Sequence, residues 1–385
     1  MLNNLNIVEL VDRNCDCCGK NNFETLWEYQ YNTRSRNLNW VFNVNNVICK
    51  ECGFVFVSPV YNQTTLLEYY KDSYFKFSEL KLDYDVNKRL NIINEVINNS
   101  KDVYLEIGSN AKSKFHEELE TIYNKVITIE PNNGKDSDYN ELAQLNLKAD
   151  CIAHYFVLEH VADIQGFLLF SYEHLNDDGY MICEVPSLKK YKDFISPLIL
   201  FEHVNHFTME SLRSIAKLYG FEEYYRSDTM CSRDFGFVMV FRKSNVKSHE
   251  EINQPNYYSV NKHYFEDGLK RKVEFEKTLS YVQNNILNNS NQNVLIWAAN
   301  ESSKRLLEGY NLNANILIVD SDPIKHNYFD SKYNVFTPAQ IEDKIRLFDT
   351  LVICTELYSD DILNIIKTRF NKSFESSRIF IADKI

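Results

Sequence analysis

Four cysteines near the amino terminus stand in two pairs whose spacing suits metal binding. Cys15 and Cys18 are separated by two residues and followed by glycine, and Cys49 and Cys52 repeat the pattern. Such a turn aims two thiolates at one point, and two turns together make a closed tetrahedral site. We therefore predict a structural zinc ion bound by these four cysteines, with Cys17 as a spare thiol. Redox-active pairs are the weaker alternative, because no helix start lies beside them to lower a thiol pKa.

A second group of residues is suited to holding a nucleoside. The apolar run Tyr104–Ile107 ends in Gly108, and after a helical stretch the run Val126–Ile129 ends in Glu130. An open α/β sheet binds nucleosides with a strand that ends in a tight glycine turn, a helix, and a second strand with a carboxylate at its tip. The carboxylate would accept hydrogen bonds from the ribose hydroxyls.

The elements that position these residues alternate between strand and helix. We expect further strands near 149–156 and 180–186, a helix over 164–175, and two final strands, 221–225 and 235–241, that form a hairpin. This order predicts a mostly parallel sheet with ligands at the carboxyl ends of its strands. His154 lies within an apolar strand and is expected in the core, whereas His116 on the first crossover helix is expected on a solvated face.

The chain divides by its sequence into three predicted domains. Residues 1–78 contain the cysteine pairs, 79–245 the glycine turn, and 246–385 begin with a polar linker and a long amphipathic helix. The last segment then resumes the strand and turn pattern at Asn293–Asn300, and a strand near 316–319 ends in Asp320. Because the glycines of a dinucleotide turn are missing there, that binding signal is weak.

The composition narrows the classes of function. The 385 residues include 44% hydrophobic and 25% charged residues and carry a formal net charge of −12. An acidic chain without a basic stripe argues against nucleic-acid binding, which relies on clustered Lys and Arg. Apolar runs are shorter than a membrane span needs, and the opening residues lack a signal segment. We expect a cytoplasmic protein without membrane or nucleic-acid partners.

The ordered motifs of the central segment resemble those of a known family. Glu-Ile-Gly-Ser-Asn at 106–110, Glu-Pro at 130–131, Leu-Glu-His-Val at 158–161 and Asp-Asp-Gly at 177–179 are similar to the motifs of class I S-adenosylmethionine (SAM) methyltransferases. With the cysteine pairs in front and the run Leu200–Phe207 behind, the chain resembles the three-domain sugar C-methyltransferases. The similarity continues at 297–303 and 319–325, so it spans nearly the whole chain.

The resemblance implies a fold and a reaction. The expected fold is α/β, with a central seven-stranded class I methyltransferase (Rossmann-like) domain, a small N-terminal zinc-binding domain and a C-terminal Rossmann-like domain that covers the sugar nucleotide or serves as a scaffold. These enzymes methylate carbon in a nucleotide-linked 4-keto deoxysugar, through an enolate that attacks the methyl group of SAM. The expected cofactors are thus SAM and structural Zn²⁺, and the pathway is carbohydrate biosynthesis.

The resemblance also assigns roles to particular residues. It implies that His203, Glu202 and His160 are the catalytic residues. These residue types suit the role, because a histidine titrates near neutral pH and a neighbouring carboxylate fixes its tautomer. His206 is a weaker candidate for substrate contact. The implied SAM-binding set comes from the ends of three strands and comprises Glu106, Gly108, Ser109, Asn110, Glu130, Pro131, Leu158 and Glu159.

Three segments of the chain depart from the family pattern. Ala111 and Lys112 replace an acidic residue and a glycine in the cofactor loop, Leu200 replaces a tyrosine before the Glu-His pair, and Cys231–Asp234 replaces a His-Gly-Gly segment. Loss of the glycine reshapes the loop that approaches the cofactor. These departures leave open O- or N-methylation of a sugar or small metabolite, and a catalytically degenerate protein that acts as a binding module. In each case we expect a small-molecule substrate and a monomer or weak homodimer.

Overall fold

The computed structural model describes residues 5–34, 39–73, 84–97, 101–109, 112–131, 137–193, 198–244, 255–307, 312–322, 325–326, 329, 333–355 and 358–381. The chain forms two compact units, Met1–Phe194 with Leu198–Gly268, and Ile195–Pro197 with Leu269–Ile385. The first unit contains both the cysteine pairs and the glycine turn. The three-domain boundaries therefore stay a prediction, and most of the predicted linker, 245–254, lies outside the described residues.

The helices and strands follow the predicted order. The α-helices are α1 Gln63–Ser73, α2 Val86–Asn91, α3 Lys114–Leu119, α4 Ile164–His174, α5 Met209–Leu218, α6 Tyr258–Tyr281, α7 Glu301–Leu307 and α8 Ser359–Arg369. The strands of the first unit are β1 Leu5–Ile7, β2 Leu10–Val11, β3 Phe23–Arg34, β4 Asn39–Cys49, β5 Val55–Val57, β6 Val60–Tyr61, β7 Val103–Ile107, β8 Lys125–Ile129, β9 Ala149–Tyr155, β10 Leu175–Pro186, β11 Asn205–His206, β12 Phe221–Ser227 and β13 Gly236–Lys243. Those of the second unit are β14 Asn293–Trp297, β15 Asn315–Val319, β16 Val335–Phe336, β17 Thr350–Ile353 and β18 Ile379–Ile381.

The central sheet has the strand order β12-β13-β10-β9-β7-β8. Strands β8, β7, β9 and β10 run parallel, while β13 is antiparallel to both β10 and β12. Tyr139 forms a single parallel bridge to Ile129 beside the outer strand β8. Among the described residues the sheet thus has six named strands, and the bridge lies where the seventh predicted strand would pair. The predicted Rossmann-like α/β architecture is confirmed.

Both faces of this sheet are buried, which explains why its strands are continuous apolar runs. Leu105 and Ile152 lie in one hydrophobic cluster, and their neighbours Tyr104 and Cys151 lie in another. Successive side chains on a strand point to opposite faces, so a parallel sheet covered by helices needs apolar residues at every position. Polar residues are left for the strand ends, where ligands bind.

The amino-terminal sheet receives one strand from the central segment of the chain. Its order is β1-β4-β5-β11, with β3 paired to β4. Strand β11 (Asn205–His206) is antiparallel to β5 and follows directly after Glu202 and His203. The backbone N–H of Val57 also donates to the Val204 carbonyl at 2.9 Å. The cysteine-bearing module therefore holds the segment that carries the Glu-His pair.

The second unit is built on one parallel sheet with the order β16-β15-β14-β17-β18. Asp320 follows β15, as predicted, but the protein's own groups occupy its carboxylate. The Ala299 N–H donates to Oδ2 at 2.8 Å, the Asp322 N–H donates to Oδ1 at 2.9 Å, and Lys325 Nζ lies 3.1 Å from Oδ2. Ala298 in the turn has φ 81°. The acid therefore stabilises a turn that lacks glycine.

His154 is a core residue, as the sequence predicts. It is fully buried in β9, with Nε2 3.0 Å from the Cys183 sulfur. Burial lowers the pKa of His154 to about 3, because the charged form loses its hydration.

This buried histidine makes stability fall on acidification. The unfolded chain protonates His154 near its ordinary value of 6.5 while the folded chain does not, so stability is complete above that value and decreases as the pH falls toward 3. From pH 7 to pH 5 the loss is about 2 kcal/mol. We expect His154→Met to lose less unfolding free energy over this range in urea titrations. The exposed His263 serves as the control, and equal losses in all three proteins would contradict the assignment.

Candidate functional site

The predicted zinc ligands come together in the amino-terminal module. The sulfur atoms of Cys15, Cys18, Cys49 and Cys52 all lie within 4.8 Å of one another. The Cys15–Cys52 and Cys18–Cys49 sulfur pairs are each 3.5 Å apart. A disulfide bond is about 2.05 Å long, whereas four sulfurs about 2.3 Å from a zinc ion are separated by roughly 3.8 Å in a tetrahedron. The four thiols are thus placed to hold a metal ion.

The glycine turn lies at the carboxyl edge of the central sheet. Ile107 at the end of β7 is in register with Ile129 at the end of β8, so the turn and Glu130 lie side by side. Gly108 has φ 76°, and a Cβ atom added there would lie 2.5 Å from Val157 Cγ2. Both the backbone conformation and the space therefore require glycine.

Two polar residues, Ser109 and Glu130, lie at this edge of the sheet. The hydroxyl of Ser109 is buried and has no hydrogen-bond partner among the residues described. Glu130 is half-buried at the tip of β8, and its main chain is fixed by Tyr139 and Asn140. A buried hydroxyl without a partner costs free energy unless a bound molecule satisfies it. Of the other predicted cofactor contacts, Asn110 lies outside the described residues, as does its neighbour Ala111, and Pro131 follows directly after Glu130.

Glu106, a predicted cofactor contact, is buried and has a protein partner. Its Oε2 lies 3.3 Å from His116 Nε2, and both residues are under 5% exposed. His116 also fixes the start of α3, because the Ser113 N–H donates to its Nδ1 at 3.0 Å. The expectation that His116 lies on a solvated face is therefore wrong. The crossover helix thus brings an imidazole within ion-pair distance of this carboxylate, although neither of the two facing atoms makes a hydrogen bond with a described residue.

The predicted catalytic histidines come together at the same edge of the sheet. The rings of His160 and His203 meet edge to face with centroids 4.7 Å apart. His160 belongs to the short helical turn Leu158–His160 that follows β9. His160 Nδ1 lies 3.1 Å from the Glu202 carbonyl oxygen. His203 Nδ1 lies 3.1 Å from the Leu198 carbonyl oxygen. Since a carbonyl only accepts, each Nδ1 carries the proton, and in the neutral ring Nε2 is an acceptor.

Glu159 faces these histidines, although the sequence places it with the cofactor contacts. It is 2% exposed, and its Oε1 lies 3.8 Å from His160 Nε2. Burial raises the pKa of Glu159 to about 8, against the attraction of the Arg233 charge. Burial, with His203 nearby, holds the pKa of His160 well below its ordinary value. Leu158 is fully buried beside it. The cluster therefore combines a neutral His160 imidazole with a carboxyl group that titrates near neutral pH.

Three residues that the sequence analysis missed hold this cluster together. The Tyr70 hydroxyl on α1 lies 3.3 Å from His160 Nδ1. Asn205 Nδ2 donates to the Leu158 and Val161 carbonyls at 3.0 and 2.7 Å, which joins the two histidine-bearing loops. Arg13 Nη2 donates to the Val204 carbonyl at 2.7 Å. No local periodicity marks these residues, because each acts through a contact distant in sequence.

His206, a weaker candidate for substrate contact, is buried away from a substrate. The Tyr191 hydroxyl donates to its Nδ1 at 2.6 Å, and its Nε2 lies 2.9 Å from Asn46 Oδ1. Both ring nitrogens are thus used by the protein. Lys112, where the family has glycine, pairs with Asp138 at 3.2 Å.

No helix in the described part of the chain is both long and apolar enough to span a membrane.

Solved structures show fold-level similarity at low identity. A SAM-dependent methyltransferase from Mesorhizobium loti is 10% identical, with a TM-score of 0.33, and the match covers 41% of this chain and all of that one. The 1,6-didemethyltoxoflavin-N1-methyltransferase of Burkholderia thailandensis is 12% identical (TM-score 0.37; 50% and 96% covered). The phosphoethanolamine N-methyltransferase 1 of Haemonchus contortus is 14% identical (TM-score 0.36; 79% and 83% covered). TM-scores this low support no conclusion about function.

A comparison with protein-family models matches the central segment of the chain. No curated protein matches the chain. Residues 81–225 match the model described as "Methyltransferase domain". These residues include the glycine turn, Glu130 and the histidine cluster. Residues 81–225 are therefore a methyltransferase domain.

Proposed function

We propose that the enzyme methylates a carbon atom next to the carbonyl group of a nucleotide-linked 4-keto deoxysugar. The observation that carries this proposal is the meeting of His160 and His203 at the carboxyl edge of the sheet, with the Nδ1 atom of each ring placed against a carbonyl oxygen. Methylation of carbon needs a group that removes a proton of very low acidity, and neutral imidazoles beside carboxylates supply one. The resemblance to sugar C-methyltransferases supports the choice of substrate.

The SAM site is proposed at the ends of β7, β8 and β9. The turn at Gly108, Ser109 and Asn110 would hold the methionine part, and Glu130 would accept hydrogen bonds from the ribose. Leu158 and Glu159, which follow β9, would line the site. SAM supplies the electrophilic methyl group. The unpartnered Ser109 hydroxyl and the close Gly108–Val157 approach support this placement.

The pair Glu202 and His203 is proposed to accept the proton that is removed from the substrate carbon. Glu202 is half-buried, and its main-chain carbonyl also orients His160. A positioned acceptor of this kind contributes a factor of about 10² to 10⁴ to a rate. Removal of the proton gives an enolate whose carbon attacks the methyl group.

A zinc ion is proposed for the four-cysteine cluster. All four ligands are supplied by the protein, so the site is closed and its role is structural. The module contains strand β5, which pairs with β11 beside the Glu-His pair. The ion would thus also stabilise the position of the catalytic loop.

Replacement of His203 tests the proposed reaction. The substrate probe is a nucleoside-diphosphate-linked 4-keto-6-deoxyhexose with ¹³C-methyl-labelled SAM. We expect wild-type enzyme to form a carbon-bound methyl group, which appears upfield of a methoxy group in proton NMR, and His203→Ala to lose at least about 100-fold of this activity. Replacement of the exposed His263 is the control. A methoxy or N-methyl product would favour the alternative reactions, and unchanged turnover in His203→Ala would contradict the assigned role.

A further inference from the structure

We propose that Glu159, His160 and His203 bind a divalent metal ion, separate from the ion of the cysteine cluster. One ligand atom from each of these residues lies within 4.8 Å of the others. Two imidazoles and one carboxylate form a common ligand set for iron, cobalt, manganese and zinc ions. With three protein ligands, such an ion keeps open positions for a substrate oxygen.

The hydrogen bonds of both histidines prepare them as ligands. His160 Nδ1 donates to the Glu202 carbonyl and His203 Nδ1 to the Leu198 carbonyl, each at 3.1 Å. Histidines that bind metals almost always donate their other ring N–H to a carbonyl or carboxylate in this way. The arrangement leaves the Nε2 lone pair of each ring as the coordinating group.

The carboxylate of Glu159 completes the set, and one of its two oxygens has no hydrogen-bond partner among the described residues. Glu159 Oε2 is buried and accepts no hydrogen bond from the residues that the structure describes. Its other oxygen lies 3.8 Å from His160 Nε2, an atom that also has only a lone pair to offer. A separation of 3.8 Å is too long for a hydrogen bond, whereas an ion placed between the two atoms would bind both once the carboxyl group has lost its proton.

The scaffold holds the three ligands before any ion binds. Asn205 joins the turn of Glu159 and His160 to the segment after His203 through two hydrogen bonds. The Val204 N–H donates to the Glu159 carbonyl at 2.8 Å. Ligands fixed by packing and hydrogen bonds lose little entropy on coordination.

One nearby charge opposes the ion. Arg233 acts electrostatically on both Glu159 and His160. Affinity must therefore come from direct coordination, which favours transition metals with strong imidazole bonds over Mg²⁺ and Ca²⁺.

This inference rests on the proposed methyl transfer and refines it. A nitrogen that binds the ion cannot also accept a proton, so Glu202 would be the acceptor in the loaded enzyme. The ion would bind the carbonyl oxygen of the substrate and stabilise the negative charge that develops there when the proton leaves.

Titration with Co²⁺ alone tests the site without a substrate. The full chain is used with its cysteine cluster filled by zinc. We expect one equivalent of Co²⁺ to bind, with a visible spectrum that lacks sulfur-to-cobalt charge transfer. Affinity should fall at least tenfold in Glu159→Gln and in His203→Ala, and stay unchanged in the matched variant Glu202→Gln. His160→Gln is a further ligand variant, and circular dichroism with zinc content checks folding.

The outcomes separate this inference from the proposed function. No Co²⁺ binding by the wild type, binding with sulfur charge transfer only, or equal affinity in all folded variants would overturn the metal site. SAM is titrated into the same samples by calorimetry. Normal SAM binding without Co²⁺ binding rejects the metal site and leaves the methyltransferase intact, whereas Co²⁺ binding without SAM binding rejects the cofactor site alone.

Discussion

Replacement of Gly108 by alanine is expected to weaken SAM binding at least tenfold. The new Cβ would lie 2.5 Å from Val157 Cγ2, and the residue would have to keep φ 76°. A non-glycine residue in that region costs about 1–2 kcal/mol, and the steric overlap adds to it. The turn would relax away from the ligand, and 1.4 kcal/mol already corresponds to a tenfold change in affinity. Calorimetric titration with SAM measures the loss.

A second substitution separates the two causes. In Gly108→Ala/Val157→Ala the methyl group that overlaps the new Cβ is absent, so part of the affinity should return while the backbone cost remains. Val157→Ala alone corrects for lost packing. If Gly108→Ala binds SAM as tightly as the wild type, the turn does not hold the cofactor as proposed.

Replacement of Cys49 by serine is expected to release the zinc ion and unfold the amino-terminal module. Cys49 is fully buried at the end of β4, with its sulfur 3.5 Å from that of Cys18. Metal binding in small modules supplies about 10–16 kcal/mol, so loss of one thiolate should cost several kcal/mol of stability. Because β5 of this module pairs with β11, the histidine loop should loosen as well. Metal analysis and the melting temperature report both effects.

Cys17 provides the matched control for this change. It is as buried as the ligands but lies outside the four-sulfur cluster. Cys17→Ser should therefore retain one zinc ion per chain. Equal zinc content in the Cys49 and Cys17 variants would show that the cluster is not the metal site.

Most of the fold could be predicted from the sequence because its signals are local. Apolar runs that alternate with amphipathic stretches predict the parallel sheet, and the repeated cysteine spacing predicts the four-cysteine cluster. The predicted lengths of the elements were less accurate. The strand predicted near 180–186 begins at Leu175 as β10, and its pairing with β9 shifts register between Leu175 and Tyr180.

The site was harder to predict because its contacts are distant in sequence. Strand β11 has two residues, too few for any periodicity, yet it joins the cysteine module to the Glu-His pair. Glu159 was placed with the cofactor contacts, and only the geometry of the turn after β9 brings its carboxylate beside His160. Tyr70 reaches the same ring from α1. Such pairings depend on tertiary packing, which patterns along one chain do not encode.

The most direct test of the account is calorimetric titration of the wild-type chain with SAM. We predict one bound SAM per chain, because the turn at Gly108, the unpartnered Ser109 hydroxyl and the Glu130 carboxylate lie together at one edge of the sheet. Absence of binding at millimolar SAM would contradict the central claim.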